Sequence, residues 1–422
     1  MAKKHDAVIA GTNTVYLPPL PGKAKKGTTI WKEWAKSAVI ELLKQGLTIA
    51  DICETLGVTR SWYDQQRARD KEWAKRVDET RAGKWTADWP DLTGMSYKEF
   101  AKTYLGWEVY PHQAPIIEAL EDPDVNRILV TGFPESGKST HVSLGYALYA
   151  MCLNPDIRIA IVSKSQVKAE DLLHRIKRYL TEPHLYENAE RNLIEDFNGF
   201  EPPRGRFRWD AKQITIRQRQ SGERDPTVQA LGIGAQIYGT RIDLLILDDA
   251  LTLENQLTED RRDKITSWFL QEAMSRVHRG RVIVCGTRIH PFDNYNEWHQ
   301  AWQDDPHYRR IKIPAIVLDE NGEEQSSWPE SWPLDGGEVW DDVLGGYRFQ
   351  KGMRQIRDEV MSLGEQRWRL VYQQEDVQDT EAIFTREAIE KAMDLGANRS
   401  LGQGVPEESL VLGVDPAVSG RA

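Results

Sequence analysis

Residues 132–140 combine the residue types and the spacing of a phosphate-binding loop. Gly132, Gly137, Lys138 and Ser139 fit the pattern G-x-x-x-x-G-K-[ST]. The glycines let backbone N–H groups close around phosphate oxygens, the lysine reaches the β- and γ-phosphates, and the serine hydroxyl is positioned to bind Mg²⁺. The predicted nucleotide-binding residues are Gly132, Phe133, Pro134, Glu135, Ser136, Gly137, Lys138, Ser139 and Thr140.

The elements around this loop favour a nucleotide site over a chance glycine-rich turn. An apolar, strand-like run occupies residues 128–131, and a helical pattern covers residues 141–153. A strand before the loop and a helix after it are the context in which the pattern binds phosphate. A helix that begins near Lys138 would also direct its positive dipole end toward the anion.

A second candidate group lies in residues 242–249, which read Ile-Asp-Leu-Leu-Ile-Leu-Asp-Asp. The apolar run predicts a strand at the centre of a parallel sheet. Asp248 and Asp249 then stand at its carboxyl end, where α/β sheets bind ligands. Asp248 would hold Mg²⁺ through water, and Asp249 would orient or deprotonate the attacking water. The alternative is a pair of acids that caps the next helix.

Two further segments could face the same nucleotide. The strand predicted at residues 281–285 ends in Thr287 and Arg288, which would sense the γ-phosphate unless they form a plain surface turn. Gln113 lies about one strand ahead of the loop, where adenine-reading glutamines stand in several motor ATPases. Its amide offers one donor and one acceptor to the edge of adenine; otherwise it is a surface residue.

The composition is that of a globular protein of two or three domains. The chain has 422 residues, of which 40% are hydrophobic and 28% charged. No apolar run reaches the roughly 18 residues that a membrane helix needs, and the N-terminus lacks the apolar segment of a secretory signal. Cys53, Cys152 and Cys285 lack metal-ligand spacing and suit reduced thiols in a cytosolic protein.

Charge is distributed unevenly along the chain. The net charge is −10, but residues 1–86 contain 16 Lys/Arg against 10 Asp/Glu, which gives +6, and the remainder carries −16. Residues 1–28 resemble a flexible basic tail. The basic front indicates that any contact with nucleic acid is local.

Residues 29–86 have the pattern of a helix-turn-helix domain. Helices are predicted at 31–45, from Thr48, and from Arg60, with a glycine turn at 57–59. On the third helix, Gln65, Gln66 and Arg67 would reach base edges, while Arg69 and Lys71 would meet phosphates. The alternative is a three-helix module that binds protein.

Taken in order, these motifs resemble the ATPase half of the large terminase subunit of tailed bacteriophages. The resemblance covers roughly residues 95–420. Its most specific parts are Gly-Thr-Arg-x-His followed by Asp-x-Tyr within 286–295, and the later Tyr-Gln-Gln. The segments that carry it are residues 107–113, 132–140, 163–165, 238–249, 286–295 and 372–374.

The resemblance implies an ATP- and Mg²⁺-dependent motor that moves double-stranded viral DNA into a procapsid. It implies an α/β P-loop NTPase fold of the ASCE type, with a mainly parallel sheet flanked by helices. The expected partners are viral DNA, a small terminase subunit, the portal and further copies of the chain in a ring, all in the bacterial host cytoplasm. We expect the ATPase core at 87–300 and a linker or lid subdomain at 301–405.

In the family, a strand such as 410–413 followed by Asp415 opens an RNase H-like nuclease domain. Asp415 is then a nuclease metal ligand, and residues 406–422 form the first strand of that domain. Two-metal cleavage needs several carboxylates. We therefore expect ATPase activity and no independent nuclease activity from this chain.

Three departures from the family pattern concern the chemistry. The loop carries Pro134 and Glu135 where many members have Arg or Lys, Asp249 replaces the usual glutamate, and the helix-turn-helix is not standard in large subunits. The cation that stabilises the transition state must then come from elsewhere. Arg241, Arg288 and Arg127 are the candidates, and Arg241 or an arginine of a neighbouring subunit in a ring is favoured among them. The alternative is that these arginines form structural salt bridges.

Two other functions are compatible with parts of the sequence. A P-loop DNA helicase or DNA-remodelling ATPase would share the nucleotide site, although no second P-loop-like half follows residue 300. A non-enzymatic DNA-binding regulator with a degenerate site would share the helix-turn-helix. Intact Lys138, Ser139 and Asp248 argue against degeneracy.

Overall fold

The computed structural model describes residues 7–10, 13–17, 20, 25–44, 47–81, 90–203, 205, 207–237, 240–341, 343 and 345–376. The β-strands are Ala7–Ala10 (β1), Asn13–Tyr16 (β2), Arg127–Gly132 (β3), Ile159–Ser163 (β4), Gln213–Ile214 (β5), Val228–Gly232 (β6), Leu244–Asp248 (β7), Arg281–Gly286 (β8), Tyr308–Ile313 (β9), Ile316–Leu318 (β10), Glu324–Ser326 (β11), Gly337–Asp341 (β12) and Gly346–Gln350 (β13).

The α-helices are Thr29–Lys44 (α1), Ile49–Thr55 (α2), Arg60–Arg69 (α3), Lys71–Arg81 (α4), Tyr97–Leu105 (α5), Ala114–Glu121 (α6), Tyr146–Leu153 (α7), Gln166–Thr181 (α8), Leu193–Asp196 (α9), Leu253–Gln256 (α10), Glu259–Trp268 (α11), Asn294–Trp302 (α12), Met353–Met361 (α13) and Glu365–Arg367 (α14). Shorter π-helical and 3₁₀ turns flank several of them, including a π-helical turn at Thr140–Gly145.

A seven-stranded sheet forms the centre of the fold. Its order is β5-β6-β4-β7-β8-β3-β9, and every pairing is parallel except that of β5 with β6. One strand, β8, separates the phosphate-loop strand β3 from the acidic strand β7, as in ASCE-type sheets. The predicted α/β fold with a mainly parallel sheet flanked by helices is therefore confirmed.

The side chains of successive strand residues point to opposite faces of the sheet, and each face packs in a hydrophobic core. Leu244 and Ile246 of β7 pack in the core that holds α5, α6, α7 and α8. Leu245 and Leu247 pack in the other core, against α11 and α12. Full burial of such a side chain stabilises the fold by about 1.5–3 kcal/mol. The continuous apolar sequence of β7 follows from this double burial.

The predicted end of the ATPase core at residue 300 does not match this sheet. Strand β9 pairs with β3 from Arg127↔Tyr308 to Gly132↔Ile313 and is an edge strand of the sheet. Its sequence alternates buried Tyr308, Ile311 and Ile313 with charged positions. Unlike the apolar runs of the central strands, this amphipathic pattern does not predict a strand of the central sheet.

Helices α1–α4 form the N-terminal unit around a separate apolar core. Thr48 and Asp51 make a capping box at α2, and Gly57 adopts φ +61° in the turn before α3. Helix α4 was not predicted. Glu41 of α1 interacts electrostatically with Arg217 of the ATPase core.

Of the three predicted base-reading residues of α3, one is exposed, one is buried and one forms an ion pair. Gln65 is exposed, but Gln66 is 8% exposed and packs inside the unit. The Arg67 guanidinium pairs with Asp78 at 2.5 Å. Gln66 is therefore a packing residue, because the helix turns it toward the apolar core together with Tyr63.

Residues after β9 form two antiparallel hairpins, β10–β11 and β12–β13, followed by α13 and α14. The predicted nuclease strand and Asp415 lie outside the described residues. Within the described segments, no helix has both the length and the apolar character that crossing a bilayer requires.

Candidate nucleotide-binding site

The phosphate loop follows β3 and has two residues with positive φ. Gly137 has φ +79°, and a Cβ there would lie 2.7 Å from Gln113 Nε2, so only glycine fits. Glu135 has φ +61° and an exposed side chain. A non-glycine residue in the left-handed region costs roughly 1–2 kcal/mol, so the loop contains local strain at Glu135.

We expect Glu135→Gly to raise the free energy of unfolding by up to about 1 kcal/mol and to lower KM for ATP. Glycine adopts φ +61° without a steric penalty, and the change removes a negative charge beside the phosphates. Glu135→Gln, which removes only the charge, is the matched control and should lower KM without the gain in stability. Urea unfolding and steady-state kinetics measure the two effects; equal stabilities of the two variants would contradict the strain.

Lys138 of the phosphate loop forms a hydrogen bond with Thr287. The Lys138 ammonium, 4% exposed, donates to Thr287 Oγ1 at 3.1 Å and to the Phe133 carbonyl at 3.4 Å. The Thr287 hydroxyl in turn donates to the Gly132 carbonyl at 2.8 Å. Lys138 thus contacts only neutral groups here, and its charge is directed into the loop, where an anion would balance it.

Ser139 and Asp248 are brought together from β7 and the loop. The Ser139 hydroxyl donates to Asp248 Oδ1 at 2.7 Å. Hydroxyl and carboxylate oxygens are ligands that Mg²⁺ prefers, with substrate phosphates completing its shell. Among the described residues, no cluster of three or more His, Cys, Asp or Glu side chains could hold a metal ion alone. The pair fits Mg²⁺ bound together with a nucleotide.

Asp249 follows β7 with φ +43° and an exposed side chain. Desolvation raises the pKa of its carboxyl, Lys138 opposes that rise and Asp248 adds to it. A raised pKa suits a group that accepts a proton during the reaction. Sequence-predicted Asp248 and Asp249 therefore lie beside Lys138 and Ser139.

Gln113 is buried beneath the loop and does not face an open pocket. Its Oε1 accepts from the Tyr110 N–H at 3.1 Å and lies 3.1 Å from His141 Nε2, while its Nε2 lies close to Gly137. The residue is 3% exposed. These contacts bury Gln113 beside the loop, and its reading of the adenine edge stays a prediction.

An aromatic group that the sequence analysis missed lies beside the loop. Rings of Tyr110 and His112 lie 5.3 Å and 5.0 Å from the ring of Trp328, and Trp328 approaches Gly137. His112 Nε2 lies 3.1 Å from the Ser136 carbonyl. Trp328 comes from the segment after β11, so no local sequence signal connected it with the loop.

The three candidate arginines do not face the loop in the described structure. Arg241 precedes β7, and Arg127 begins β3, so both stand at the sheet edge opposite the loop. Arg241 pairs with Glu223 at 3.5 Å, and Arg127 pairs with Asp305. The predictions for these two residues in cis are therefore wrong, because parallel strands place only their carboxyl ends near the phosphate.

Arg288 is fully buried in a structural ion-pair network. Its guanidinium donates to Asp293 Oδ2 at 2.9 Å, to Asp376 Oδ1 at 2.6 Å and to the Pro291 carbonyl at 3.1 Å. Arg310 and Lys312 also pair with Asp376, and the pKa of that carboxyl lies far below its usual range despite its partial desolvation. The Arg288 side chain therefore has no exposed surface with which it could contact a γ-phosphate, whereas Thr287 is partly exposed.

We expect Asp293→Ala to lower the free energy of unfolding by up to roughly 3–5 kcal/mol, because it removes the buried one of the two carboxylate partners of Arg288. Asp293 is 0% exposed and also accepts the N–H of Asn296 as the N-cap of α12. The control is Asp263→Ala on the exposed face of α11. Urea unfolding of both variants measures the difference; losses of similar size would contradict the role of the buried pair.

Tyr372, Gln373 and Gln374 connect the end of β9 to the strand that carries Thr287. The Tyr372 carbonyl accepts from Ala315 N at 2.8 Å, and the Gln373 amide pairs with the backbone of Ile316 at 3.0 and 2.9 Å. Gln374 Oε1 accepts from the backbone N–H of Arg288 at 3.3 Å. The Tyr-Gln-Gln motif therefore joins both sides of the cleft.

Lys164 is a cation that sequence reasoning did not assign. The register Ser163↔Asp248 places it beside Asp249 at the same sheet edge. Its side chain is exposed and has no ion-pair partner among the described residues, and its charge lowers the pKa of Asp249. The segment 163–165 was part of the family pattern, but the register that gives Lys164 its place requires the sheet order.

Buried His141, next to the loop, predicts acid sensitivity. Desolvation lowers its pKa from 6.5 to about 4. Below pH 6.5 the unfolded chain binds a proton that the folded chain does not, so stability falls as the pH falls toward 4, by up to roughly 3 kcal/mol. We expect His141→Gln to flatten this part of the stability profile measured by urea unfolding between pH 4 and 7; an unchanged slope would contradict it.

Comparisons with known proteins agree with the motif-based resemblance. The chain is 24% identical over 208 residues to a curated protein, the large terminase subunit of Enterobacteria phage T3. That match covers 48% of this chain and 32% of the relative, so the chain spans about a third of the relative's length. The predicted resemblance to terminase large subunits is confirmed by this relative.

Solved structures give a further likeness. The large terminase ATPase domain of Thermus phage P74-26 is 14% identical, with a TM-score of 0.40, and the match covers 64% of this chain and 94% of that one. A single-substitution variant of the same domain is 15% identical with the same TM-score and coverage. No protein-family model matches the chain.

Proposed function

We propose that this chain is the ATP-hydrolysing motor part of a viral DNA-packaging terminase. The observation that carries the proposal is the Ser139–Asp248 hydrogen bond of 2.7 Å beside the inward-facing Lys138. It brings a metal-ligand pair and a phosphate-binding cation to one edge of a parallel sheet. The terminase relative supplies the biological setting, and a movement of double-stranded DNA is the work that such a site would drive.

In the proposed reaction, Lys138 and the loop N–H groups hold the β- and γ-phosphates. Ser139 and Asp248 hold Mg²⁺, which neutralises phosphate charge when bound. Asp249 orients the attacking water and accepts its proton. Thr287 exchanges its contacts with Lys138 and Gly132 when the γ-phosphate is present, and the second cation comes from Lys164 or from a neighbouring copy in a ring.

The base of ATP would lie against the aromatic side chains beside Gly137. Trp328 approaches Gly137 and the Tyr110 ring lies against Trp328, and stacking of a base on an aromatic ring needs no specific hydrogen bond. Gln113 would act indirectly by holding the loop in place. This assignment replaces direct reading of the adenine edge.

The partners that we propose follow from the terminase assignment. They are double-stranded viral DNA, a small terminase subunit, the portal and other copies of this chain, in the cytoplasm of the bacterial host. The exposed Gln65, Arg69 and Lys71 of the N-terminal unit form a surface for DNA or for a protein partner. Nuclease chemistry would depend on Asp415 and further carboxylates that bind two divalent metals.

The test is ATP turnover by the full chain with and without linear double-stranded DNA, together with displacement of a triplex-forming strand as a readout of translocation. We expect DNA to stimulate turnover and the triplex to be displaced only with ATP. Absence of hydrolysis under both conditions would overturn the proposal. Separation of duplex strands without a procapsid would favour the alternative, a P-loop helicase or DNA-remodelling ATPase.

A further inference from the structure

We infer that the Cys285 thiol is a positioning residue that holds the Asp248 carboxylate in its metal-binding orientation. This inference rests on the proposed function, because it assigns a second layer of contacts to the same site. Cys285 Sγ lies 3.2 Å from Asp248 Oδ1. The same oxygen accepts the Ser139 hydroxyl at 2.7 Å.

The sheet itself fixes this contact. Cys285 of β8 is the register partner of Asp248 of β7, so their side chains leave the sheet side by side. Cys285 is 0% exposed and Asp248 is 3% exposed. On its other side, the thiol lies 3.9 Å from Ser143 Oγ. Neighbouring strands thus hold the donor at a constant distance from the carboxylate.

The thiol acts as a donor and not as a metal ligand or nucleophile. Cys285 is fully buried, and its sulfur lies 3.2 Å from a carboxylate oxygen, which accepts a hydrogen bond from the S–H group. A thiol is a weak donor, and a carboxylate has several lone-pair sites that can accept it.

Ser139 and Cys285 both donate to Asp248, but only Cys285 would be free to hold the carboxylate when a metal ion is bound. Ser139 is itself a candidate metal ligand, so its hydroxyl is shared between Asp248 and the metal. Cys285 approaches from the sheet and is independent of the loop. Contacts that orient a metal-binding carboxylate typically change metal affinity or activity by about 10–100-fold when they are lost.

The decisive experiment compares donor-free and donor-bearing variants of the full chain. Cys285→Val and Cys285→Ala remove the donor with a similar and a smaller side chain, and Cys285→Ser keeps it. Cys152→Val, in the buried face of α7, is the control for altering a buried cysteine outside the site. Binding of Mn²⁺ with ADP, followed by electron paramagnetic resonance, is the first readout, and the Mg²⁺ concentration for half-maximal ATP turnover is the second.

We expect both donor-free variants to weaken Mn²⁺ binding about 10-fold or more and to raise the half-maximal Mg²⁺ concentration in parallel. Cys285→Ser and Cys152→Val should stay within about threefold of the natural chain, which is the size of effect expected from packing alone. Natural Mn²⁺ affinity in Cys285→Val and Cys285→Ala, or equal losses in Cys285→Ser, would overturn the inference.

A third readout separates this inference from the proposed function. The S–H stretching band of Cys285, identified by its loss in Cys285→Ala, reports the hydrogen bond without nucleotide or turnover. We expect Asp248→Asn to shift that band and Lys102→Ala, on the exposed face of α5, to leave it unchanged. A band insensitive to Asp248→Asn would refute the contact even if the chain hydrolyses ATP, whereas a shifted band in a chain without turnover would refute only the proposed function.

Discussion

Replacing Lys138 by alanine should lower kcat/KM for ATP by roughly 10³-fold or more, because it removes a preorganised cation from the phosphate-binding loop. The ammonium is 4% exposed and its contacts are the Thr287 hydroxyl and the Phe133 carbonyl, both neutral. Among the described residues it forms no direct ion pair, although its charge lowers the pKa of Asp249. A group that contacts the β- and γ-phosphates should affect both KM and kcat.

The control for this prediction is Lys102→Ala, which removes an exposed lysine of α5 away from the loop. Phosphate release from ATP by both variants, with and without double-stranded DNA, is the measurement. Unfolding should show that Lys138→Ala is no less stable than the natural chain without nucleotide, because alanine removes a buried charge. Turnover by Lys138→Ala within tenfold of the natural chain would contradict the site assignment.

Asp249→Asn should lower kcat by about 10²–10⁴-fold while nucleotide affinity changes little, because general base catalysis contributes in that range. The Asp249 carboxyl faces the cleft beside Asp248, and the amide of asparagine keeps its size but cannot accept the proton of water. Asp249→Glu should retain part of the activity, since its longer side chain reaches the cleft from the same position.

The pH profile gives an independent test of the same residue. Desolvation raises the pKa of Asp249, and a base works only when it is deprotonated. The rate should therefore fall as the pH drops through a value above the ordinary aspartate pKa of about 3.9. Asp249→Asn should lose this acidic limb. If the residual activity of the variant keeps the limb of the natural chain, the base is another group.

The sequence predicted the site residues that belong to local patterns and missed those whose positions depend on distant segments of the chain. Lys138, Ser139 and the acidic pair belong to local patterns, a glycine-rich loop and an apolar strand, and these are visible in single segments. Thr287 follows a strand of the same kind. Lys164 and Trp328 were missed because their places depend on which strands are neighbours and on how a distant hairpin folds back, which no local pattern contains.

The fold shows the same division. Central strands β3, β7 and β8 were predicted within one or two residues because burial on both faces makes them continuously apolar. Edge strand β9 was missed because its exposed side chains interrupt that pattern. Arg241 was misassigned because it is close in sequence to β7. It precedes that strand, however, whereas Asp248 ends it, so the full length of the strand separates the two residues.

The junction at Tyr372, Gln373 and Gln374 limits how a nucleotide-driven movement could spread. One route leaves the phosphate loop through β9 to Ala315 and Ile316, and the other leaves through Thr287 to the backbone of Arg288. Both end on the same three residues. The two routes thus form a closed circuit of covalent and hydrogen bonds, and such a circuit bends far less than an open chain. We expect the displacement per hydrolysed nucleotide to be small inside this circuit, so that a long step along DNA requires rotation of the circuit as one body.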